Sequence, residues 1–124
     1  LGVAEARNLD EMRAQGAALL GLGCGAVLIK GGHLASEDAT DLLMSPGAVL
    51  ELTAPRTPTR NTHGTGCTLS SALAAWMGAG HPAREAAGRA KAYVAAAIAA
   101  ADTPTVGSGH GPVDHFHALR ETRP

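Results

Sequence analysis

The chain has 124 residues, of which 45% are hydrophobic, and this length suits one globular domain. Its net charge of −1 and its lack of a basic run favour neither nucleic acid nor an anionic membrane as a partner. No apolar stretch reaches the roughly 18 residues of a membrane helix, and two cysteines are too few for a disulfide scaffold. We therefore expect a cytoplasmic protein that binds no nucleic acid and no membrane.

The beginning of the chain predicts one helix followed by one strand. Asn8 followed by Glu11 fits a capping box, so we expect a helix over residues 10–22. The short apolar run 26–29 is typical of a buried parallel strand. Lys30 then lies at the carboxyl end of that strand, the edge at which open α/β sheets bind ligands.

A hairpin is predicted next. Residues 39–44 and 49–53 have the pattern of two strands, and Ser45-Pro46-Gly47 between them is a turn signal. One parallel strand and one hairpin make a small sheet for the number of helices, so we expect this chain to be part of a longer one. The first residue, Leu1, supports the same expectation because it is not a methionine.

The second half predicts two helices and a short last element. A helix is expected over residues 68–78, and an Ala-rich helix over residues 82–101 with Pro82 at its first position. A loop over residues 103–112 leads to a short strand or helix over residues 113–119. Two aromatic side chains fall inside the helical patterns and are expected in the core: Trp76 and Tyr93.

The segment from Asn61 to Ser71 carries the strongest functional signal. Gly64 and Gly66 let the backbone turn tightly and come close to a ligand, and the run after them predicts a helix. Such a turn presents free N–H groups and the positive end of the helix dipole, which bind phosphates. Cys67 lies where these groups converge, so its thiolate would be stabilised. Two simpler interpretations stay open: an ordinary Gly-rich start of a helix, and a cysteine that is a small buried apolar side chain.

The turn matches neither of two common nucleotide-binding motifs. It lacks the four-residue gap and the Gly-Lys-Ser/Thr ending of a P-loop, and the third glycine of the dinucleotide fingerprint. The glycines of residues 21–25 precede a strand instead of following one, so we interpret them as a helix stop and turn. Cys24 within that turn is expected to be buried and without a role.

Two other segments carry candidate binding residues. Lys30 begins the sequence Lys30-Gly31-Gly32-His33, and it could direct a point charge at a phosphate or extend to solvent at the sheet edge. The loop 107–112 could line a nucleotide or serve as a connection. Three histidines match no common tetrahedral zinc spacing, and we expect no metal site there: His110, His115 and His117.

The segment Asn61–Ala72 closely resembles the signature of the hydroxymethylpyrimidine/phosphomethylpyrimidine kinases of thiamine biosynthesis, ribokinase-like proteins related to pyridoxal kinases. Residues 27–33, 89–94 and 107–116 also agree with that family in order and spacing. The resemblance spans essentially the whole chain. It implies an α/β fold with a mostly parallel sheet flanked by helices in three αβα layers. Because family members are about twice as long, it also implies that residues 1–124 are the C-terminal ATP-binding and catalytic half of a single ribokinase-like domain.

The resemblance implies a reaction, the ATP-dependent phosphorylation of 4-amino-5-hydroxymethyl-2-methylpyrimidine and then of its monophosphate. Cys67 replaces the aspartate of most superfamily members and would take the proton of the alcohol. The amides of Gly64, Thr65 and Gly66 would bind the transferring phosphoryl group, and Lys30 would add charge to phosphates that Mg²⁺ bridges. Four more residues would bind the nucleotide: Asn61, Thr62, His63 and His110. The monophosphate is already anionic, so Cys67 would matter less in the second phosphorylation.

Two other functions stay open at this point. Some pyridoxal kinases also have cysteine at this position, so a pyridoxal or pyridoxine kinase is one alternative. The other is a non-catalytic fragment that binds nucleotide. By resemblance, the residues that contact the pyrimidine and help to hold Mg²⁺ precede Leu1. We therefore expect the isolated chain to have little or no kinase activity, and the full-length protein to be a homodimer.

Overall fold

The computed structural model describes residues 1–32, 34–104 and 107–120, and the chain divides into two units, Leu1–Arg56 and Thr57–Pro124. His33 of the predicted Lys30–His33 motif lies outside the described residues, as do two residues of the predicted loop 103–112. The first unit contains α1 (Leu9–Leu20), β1 (Val27–Ile29), β2 (Asp38–Ser45) and β3 (Ala48–Pro55). The second unit contains α2 (Thr65–Gly78), α3 (Ala83–Ala99) and α4 (His117–Arg120).

Helix α1 begins at the capping box that the sequence predicts. The Glu11 amide donates to Asn8 Oδ1 at 2.8 Å, and the Asn8 side chain donates to the Glu11 carboxylate at 3.1 Å. The Arg7 amide also donates to that carboxylate, at 2.9 Å, and holds the pKa of Glu11 below its usual value. The helix ends at Leu20, so the predicted bounds are right to within two residues.

The first unit is built on a three-stranded sheet in the order β1-β2-β3. Helix α1 packs on β1 and β2, and its Met12 joins Leu42 and Met44 of β2 in a core in which none is more than 6% exposed. Burying one such side chain stabilises the fold by about 1.5–3 kcal/mol. Gly16 allows this contact, because a Cβ there would lie 2.2 Å from the Met44 sulfur.

The predicted hairpin is confirmed, and the first strand, which the sequence predicts to be parallel, pairs antiparallel with it in this chain. Strands β2 and β3 pair antiparallel around a two-residue turn, in which Gly47 has a φ of +76°. Strand β1 also pairs antiparallel with β2, Val27 opposite Met44. A parallel pair needs a crossover of about a dozen residues or more, usually a helix, and only residues 30–37 separate β1 from β2.

The second unit is built on the contact between α2 and α3, and the buried side chains of α3 are small. Four alanines and a valine on α3 are buried, which lets the two helices approach closely: Ala86, Ala87, Ala90, Ala97 and Val94. Pro82 precedes this helix instead of occupying its first position. Helix α2 begins at Thr65, three residues before the predicted start, so Gly66 and Cys67 belong to its first turn.

Three side chains expected in the interior are more exposed than predicted. Trp76 and Tyr93 are only half-buried. The Trp76 ring contacts the Arg89 guanidinium, which lies 4.7 Å from the ring centroid. Cys24 is exposed, and its thiol donates to the Leu19 carbonyl at 3.3 Å. Helical spacing alone does not distinguish a partly covered position from a core position.

The last element is a short helix. Residues 113–116 have no regular secondary structure, and α4 follows them. In the described ranges, the parallel pairing is confined to an isolated bridge between His63 and Pro112. None of the described helices is both long and apolar enough to cross a membrane.

Gly31, directly after Lys30, packs so closely on β2 that a larger side chain there should destabilise the fold. The Gly31 amide donates to Asp41 Oδ1 at 3.0 Å, and a Cβ on Gly31 would lie 2.0 Å from the Thr40 carbonyl oxygen. We expect Gly31→Ala to lower the free energy of unfolding by about 1–3 kcal/mol, because the backbone of β2 would have to move. Urea denaturation followed by circular dichroism measures this loss.

Gly32→Ala is the matched control, since among the described residues other than its chain neighbours no atom lies within 4 Å of the added Cβ. Its free energy of unfolding should stay within about 0.5 kcal/mol of the parent value. An equal loss in both variants would contradict the packing explanation.

Candidate active site

The candidate site begins at Gly64, the residue before α2. Its φ of +85° and ψ of 0° are in the left-handed region, which glycine adopts without a steric penalty. Its carbonyl accepts two hydrogen bonds from Thr68, one from the amide at 2.9 Å and one from the hydroxyl at 2.8 Å. These bonds close the first turn of α2, which has no side-chain cap.

The first turn of α2 presents amides that the helix itself cannot use. In an α-helix the first amides have no intrahelical acceptor, and here they belong to Thr65, Gly66 and Cys67. The Thr65 amide donates to the Thr62 carbonyl over 3.4 Å, near the outer limit of a hydrogen bond. Within the described ranges, the Gly66 and Cys67 amides have no acceptor. The positive end of the helix dipole adds to this turn, so an anion would be stabilised here.

The Cys67 side chain is exposed, so the interpretation of a small buried apolar side chain is wrong. It lies at the border of a groove of about 540 Å³ within the second unit. The groove follows α2 from Cys67 to Trp76 and is lined on its other side by Tyr93 and His115. An accessible thiol therefore stands beside the free amides of the same helical turn.

The Asn61 side chain has an internal role that the sequence does not reveal. Its amide nitrogen donates to the Ala101 carbonyl at 3.1 Å and to Asp102 Oδ1 at 2.8 Å. Its Oδ1 accepts the Gly111 amide at 3.0 Å. Asn61 thus ties the loop 107–112 and the end of α3 to the segment that leads into α2. Its predicted contact with a nucleotide stays a prediction.

The other predicted nucleotide-binding residues fall into both units. His63 is held through its backbone, which donates to Gly111 at 3.2 Å and accepts from Val113 at 3.3 Å, and its side chain is exposed. Thr62 and His110 are also exposed in the second unit. Lys30 belongs to the first unit, where it is exposed directly after β1.

Two histidines near the end of the chain form internal contacts. His115 Nε2 lies 2.9 Å from Thr68 Oγ1, and His117 Nδ1 lies 3.0 Å from the Asp114 carbonyl. The Thr68–His115 contact joins residues 47 positions apart, and no motif or spacing signals it. In the part of the chain that is described, no three His, Cys, Asp or Glu side chains converge to hold a metal ion.

Comparison with solved structures confirms the predicted α/β, ribokinase-like class. A structure of the pyridoxal kinase from Staphylococcus aureus in complex with AMP-PCP and pyridoxal matches with a TM-score of 0.89 and 30% identity. That match covers 96% of this chain and 44% of the kinase.

Sequence relatives narrow this class to one family. The hydroxymethylpyrimidine/phosphomethylpyrimidine kinase of Salmonella typhimurium is 52% identical over 118 residues, which are 95% of this chain and 44% of that protein. The kinase of the same name from Rhizobium meliloti is 51% identical over 116 residues, 94% of this chain and 44% of the relative. The family described as phosphomethylpyrimidine kinase matches residues 1–114, and the chain belongs to it. The chain spans less than half the length of these relatives.

The contact between Asn61 and Gly111 predicts that a larger side chain at position 111 destabilises the fold. A Cβ on Gly111 would lie 2.4 Å from Asn61 Oδ1, so Gly111→Ala should displace the amide and break its hydrogen bonds. We expect the free energy of unfolding to fall by about 1–3 kcal/mol in urea denaturation. Gly109→Ala is the control, because no atom of the described residues, apart from its chain neighbours, lies within 4 Å of its added Cβ. A Gly111→Ala variant as stable as the control would contradict a tight contact at Asn61.

Proposed function

We propose that the protein carrying this chain phosphorylates 4-amino-5-hydroxymethyl-2-methylpyrimidine and its monophosphate with ATP. One observation carries the proposal: an exposed Cys67 thiol lies in the helical turn whose Gly66 and Cys67 amides lack an acceptor in the described residues. A base and anion-binding donors in one turn suit the transfer of a phosphoryl group to an alcohol. Family membership and 52% identity to the Salmonella kinase support the choice of acceptor.

In the first reaction the alcohol oxygen attacks the γ-phosphorus of ATP, and ADP leaves. The alcohol proton passes to the Cys67 thiolate, which acts as general base. The backbone amides from Gly64 to Cys67 bind the oxygens of the transferring group, where negative charge must be stabilised. One such donor is typically worth about 10²–10³ in rate, because it is already oriented before the reaction. In the second reaction the acceptor is an anionic phosphate, so the base is needed less.

ATP is the proposed phosphoryl donor, and the Staphylococcus aureus pyridoxal kinase, a relative in structure, was solved in complex with AMP-PCP. Lys30, an exposed cation after β1, is proposed to contact the phosphates as a point charge. Four residues of the second unit are proposed to contact the nucleotide: Asn61, Thr62, His63 and His110.

Mg²⁺ is the metal that kinase chemistry of this kind implies. The described residues offer no cluster of three His, Cys, Asp or Glu side chains for it. Mg²⁺ commonly uses substrate phosphates, water and one or two carboxylates as ligands. No step proposed for this chain depends on the metal.

We further propose that different parts of the complete protein bind ATP and the pyrimidine. The chain matches 44% of the length of the relatives. Its free backbone amides would bind an anion, and its exposed thiol would act as a base. It would therefore supply the ATP-binding and catalytic half of one ribokinase-like domain, and the pyrimidine contacts would come from outside residues 1–124. A homodimer is the proposed assembly of the full-length protein.

Pyridoxal phosphorylation is the second candidate function. The Staphylococcus aureus pyridoxal kinase, which was solved with pyridoxal, shares the fold over 96% of this chain. Its identity of 30% is well below the 52% shared with the Salmonella pyrimidine kinase, so the pyrimidine alcohol is the better supported acceptor.

Binding of a nucleotide to this chain can be measured directly. AMP-PCP added to the ¹⁵N-labelled chain should shift the amide resonances of Thr65, Gly66 and Cys67, because its phosphates would accept hydrogen bonds from them. Adenosine, which lacks the phosphates, is the control and should leave these three resonances unchanged. Equal shifts with both ligands, or none with AMP-PCP, would contradict a phosphate site at α2.

The role of Cys67 can be tested in a chimera in which this chain replaces the matching region of the Salmonella kinase. Cys67→Ala should lower kcat/KM for the alcohol by about 10²–10⁴-fold, through loss of the general base. The loss for the monophosphate should be clearly smaller, and both rates are measured by ADP release.

Cys24→Ala is the matched control, since this second exposed thiol lies in the first unit. It should leave both rates unchanged. If Cys67→Ala in a folded chimera abolished both phosphorylations equally, Cys67 would not be the base for the alcohol alone.

A further inference from the structure

We infer that Thr68 and His115 are positioning residues that orient the Thr65 amide toward the phosphoryl group. The inference rests on the proposed function, since it gives this amide a task in phosphoryl transfer. Neither side chain has to touch a substrate for this role. They act through the carbonyl of Gly64, at the start of α2.

The hydrogen-bond chain has a single consistent direction. A carbonyl can only accept, so the Thr68 hydroxyl proton points to the Gly64 oxygen, 2.8 Å away. Thr68 Oγ1 then accepts from His115 Nε2, 2.9 Å away, which must carry a proton. Thr68 is only 7% exposed, so an unpaired hydroxyl would be costly there. Linked bonds of this kind polarise and strengthen one another.

The Gly64 carbonyl controls the direction of the next amide. The peptide bond from Gly64 to Thr65 is trans and planar, so its C=O and N–H point in opposite directions. Two hydrogen bonds from Thr68 hold the carbonyl along the helix, so the Thr65 N–H points to the N-terminal side of α2. Its acceptor there is the Thr62 carbonyl at 3.4 Å, a bond near the outer limit that a phosphate oxygen would replace. Gly64 has no Cβ to limit the rotation of its backbone dihedral angles. The two hydrogen bonds to its carbonyl therefore restrict that rotation.

His115 is itself fixed to α3. The Tyr93 hydroxyl donates to the His115 carbonyl at 2.8 Å. One residue earlier, the Asp114 amide donates to the Ala97 carbonyl at 3.0 Å. Both anchors belong to α3, which packs on α2 through small buried side chains. The backbone that carries the imidazole is therefore held by α3, the helix that packs on α2.

The test uses the ¹⁵N-labelled 124-residue chain and two pairs of variants. Thr68→Val keeps the shape but removes the hydroxyl, and Thr68→Ser restores it. His115→Ala removes the donor, and His115→Gln places an amide N–H at nearly the same reach. Thr68→Val and His115→Ala should shift the Thr65 amide resonance in the free chain, whereas Thr68→Ser and His115→Gln should resemble the parent.

The second readout is the affinity for AMP-PCP. Thr68→Val and His115→Ala should each weaken it about three- to tenfold, the effect of one lost hydrogen bond, with recovery in the conservative variants. Because the two side chains act in series, the double variant should bind no more weakly than Thr68→Val alone.

An unchanged Thr65 resonance together with unchanged affinity in Thr68→Val or His115→Ala would overturn the inference. A parent chain that fails to bind AMP-PCP would instead count against the proposed function, and the Thr65 resonance of the free variants would still decide the inference. Should Thr68→Val fail to fold, His115→Ala and His115→Gln decide it, since His115 is exposed.

Discussion

The carbonyl of Gly64 is the group on which the candidate site depends. It accepts both the amide and the hydroxyl of Thr68, and these bonds determine where α2 begins. A helix that begins at Thr65 places Gly66 and Cys67 in its first turn, where amides have no intrahelical acceptor. The free donors and the exposed thiol are thus consequences of one closed turn.

Hydrogen bonds and helix packing connect this turn to the rest of the second unit. Asn61 uses its side-chain amide on Asp102 and Gly111, so the segment before α2 is tied to the end of α3 and to the loop 107–112. Helix α3 approaches α2 closely because its buried side chains are mostly alanine. In this chain, which has few aromatic residues, the first turn of α2 is thus connected to its neighbours by hydrogen bonds and by packing between helices.

The candidate site is easier to predict from the sequence than the contacts that hold it in place. The glycine pair and Cys67 can be singled out because the N-terminus of any helix has free N–H groups and a positive dipole end, which favour an anion. The same motif predicts that Asn61 contacts the nucleotide, but it does not signal the bonds that the Asn61 side chain forms within the second unit. The contact between Thr68 and His115 has no signal in the sequence, because it joins residues 47 positions apart. A long-range contact of this kind depends on how two helices and a loop pack.

The sequence by itself determined the local elements, because their causes lie within a few residues: the capping box at Asn8, the hairpin around Gly47, and the Gly-rich entry to α2. Tertiary structure alone decided that β1 pairs antiparallel with β2. An apolar run in the sequence indicates that a strand is buried, but it does not indicate the direction of the strand beside it. It also decided which side chains are exposed, among them Cys24 and Cys67. Exposure depends on what packs against a residue, and those neighbours come from distant parts of the chain.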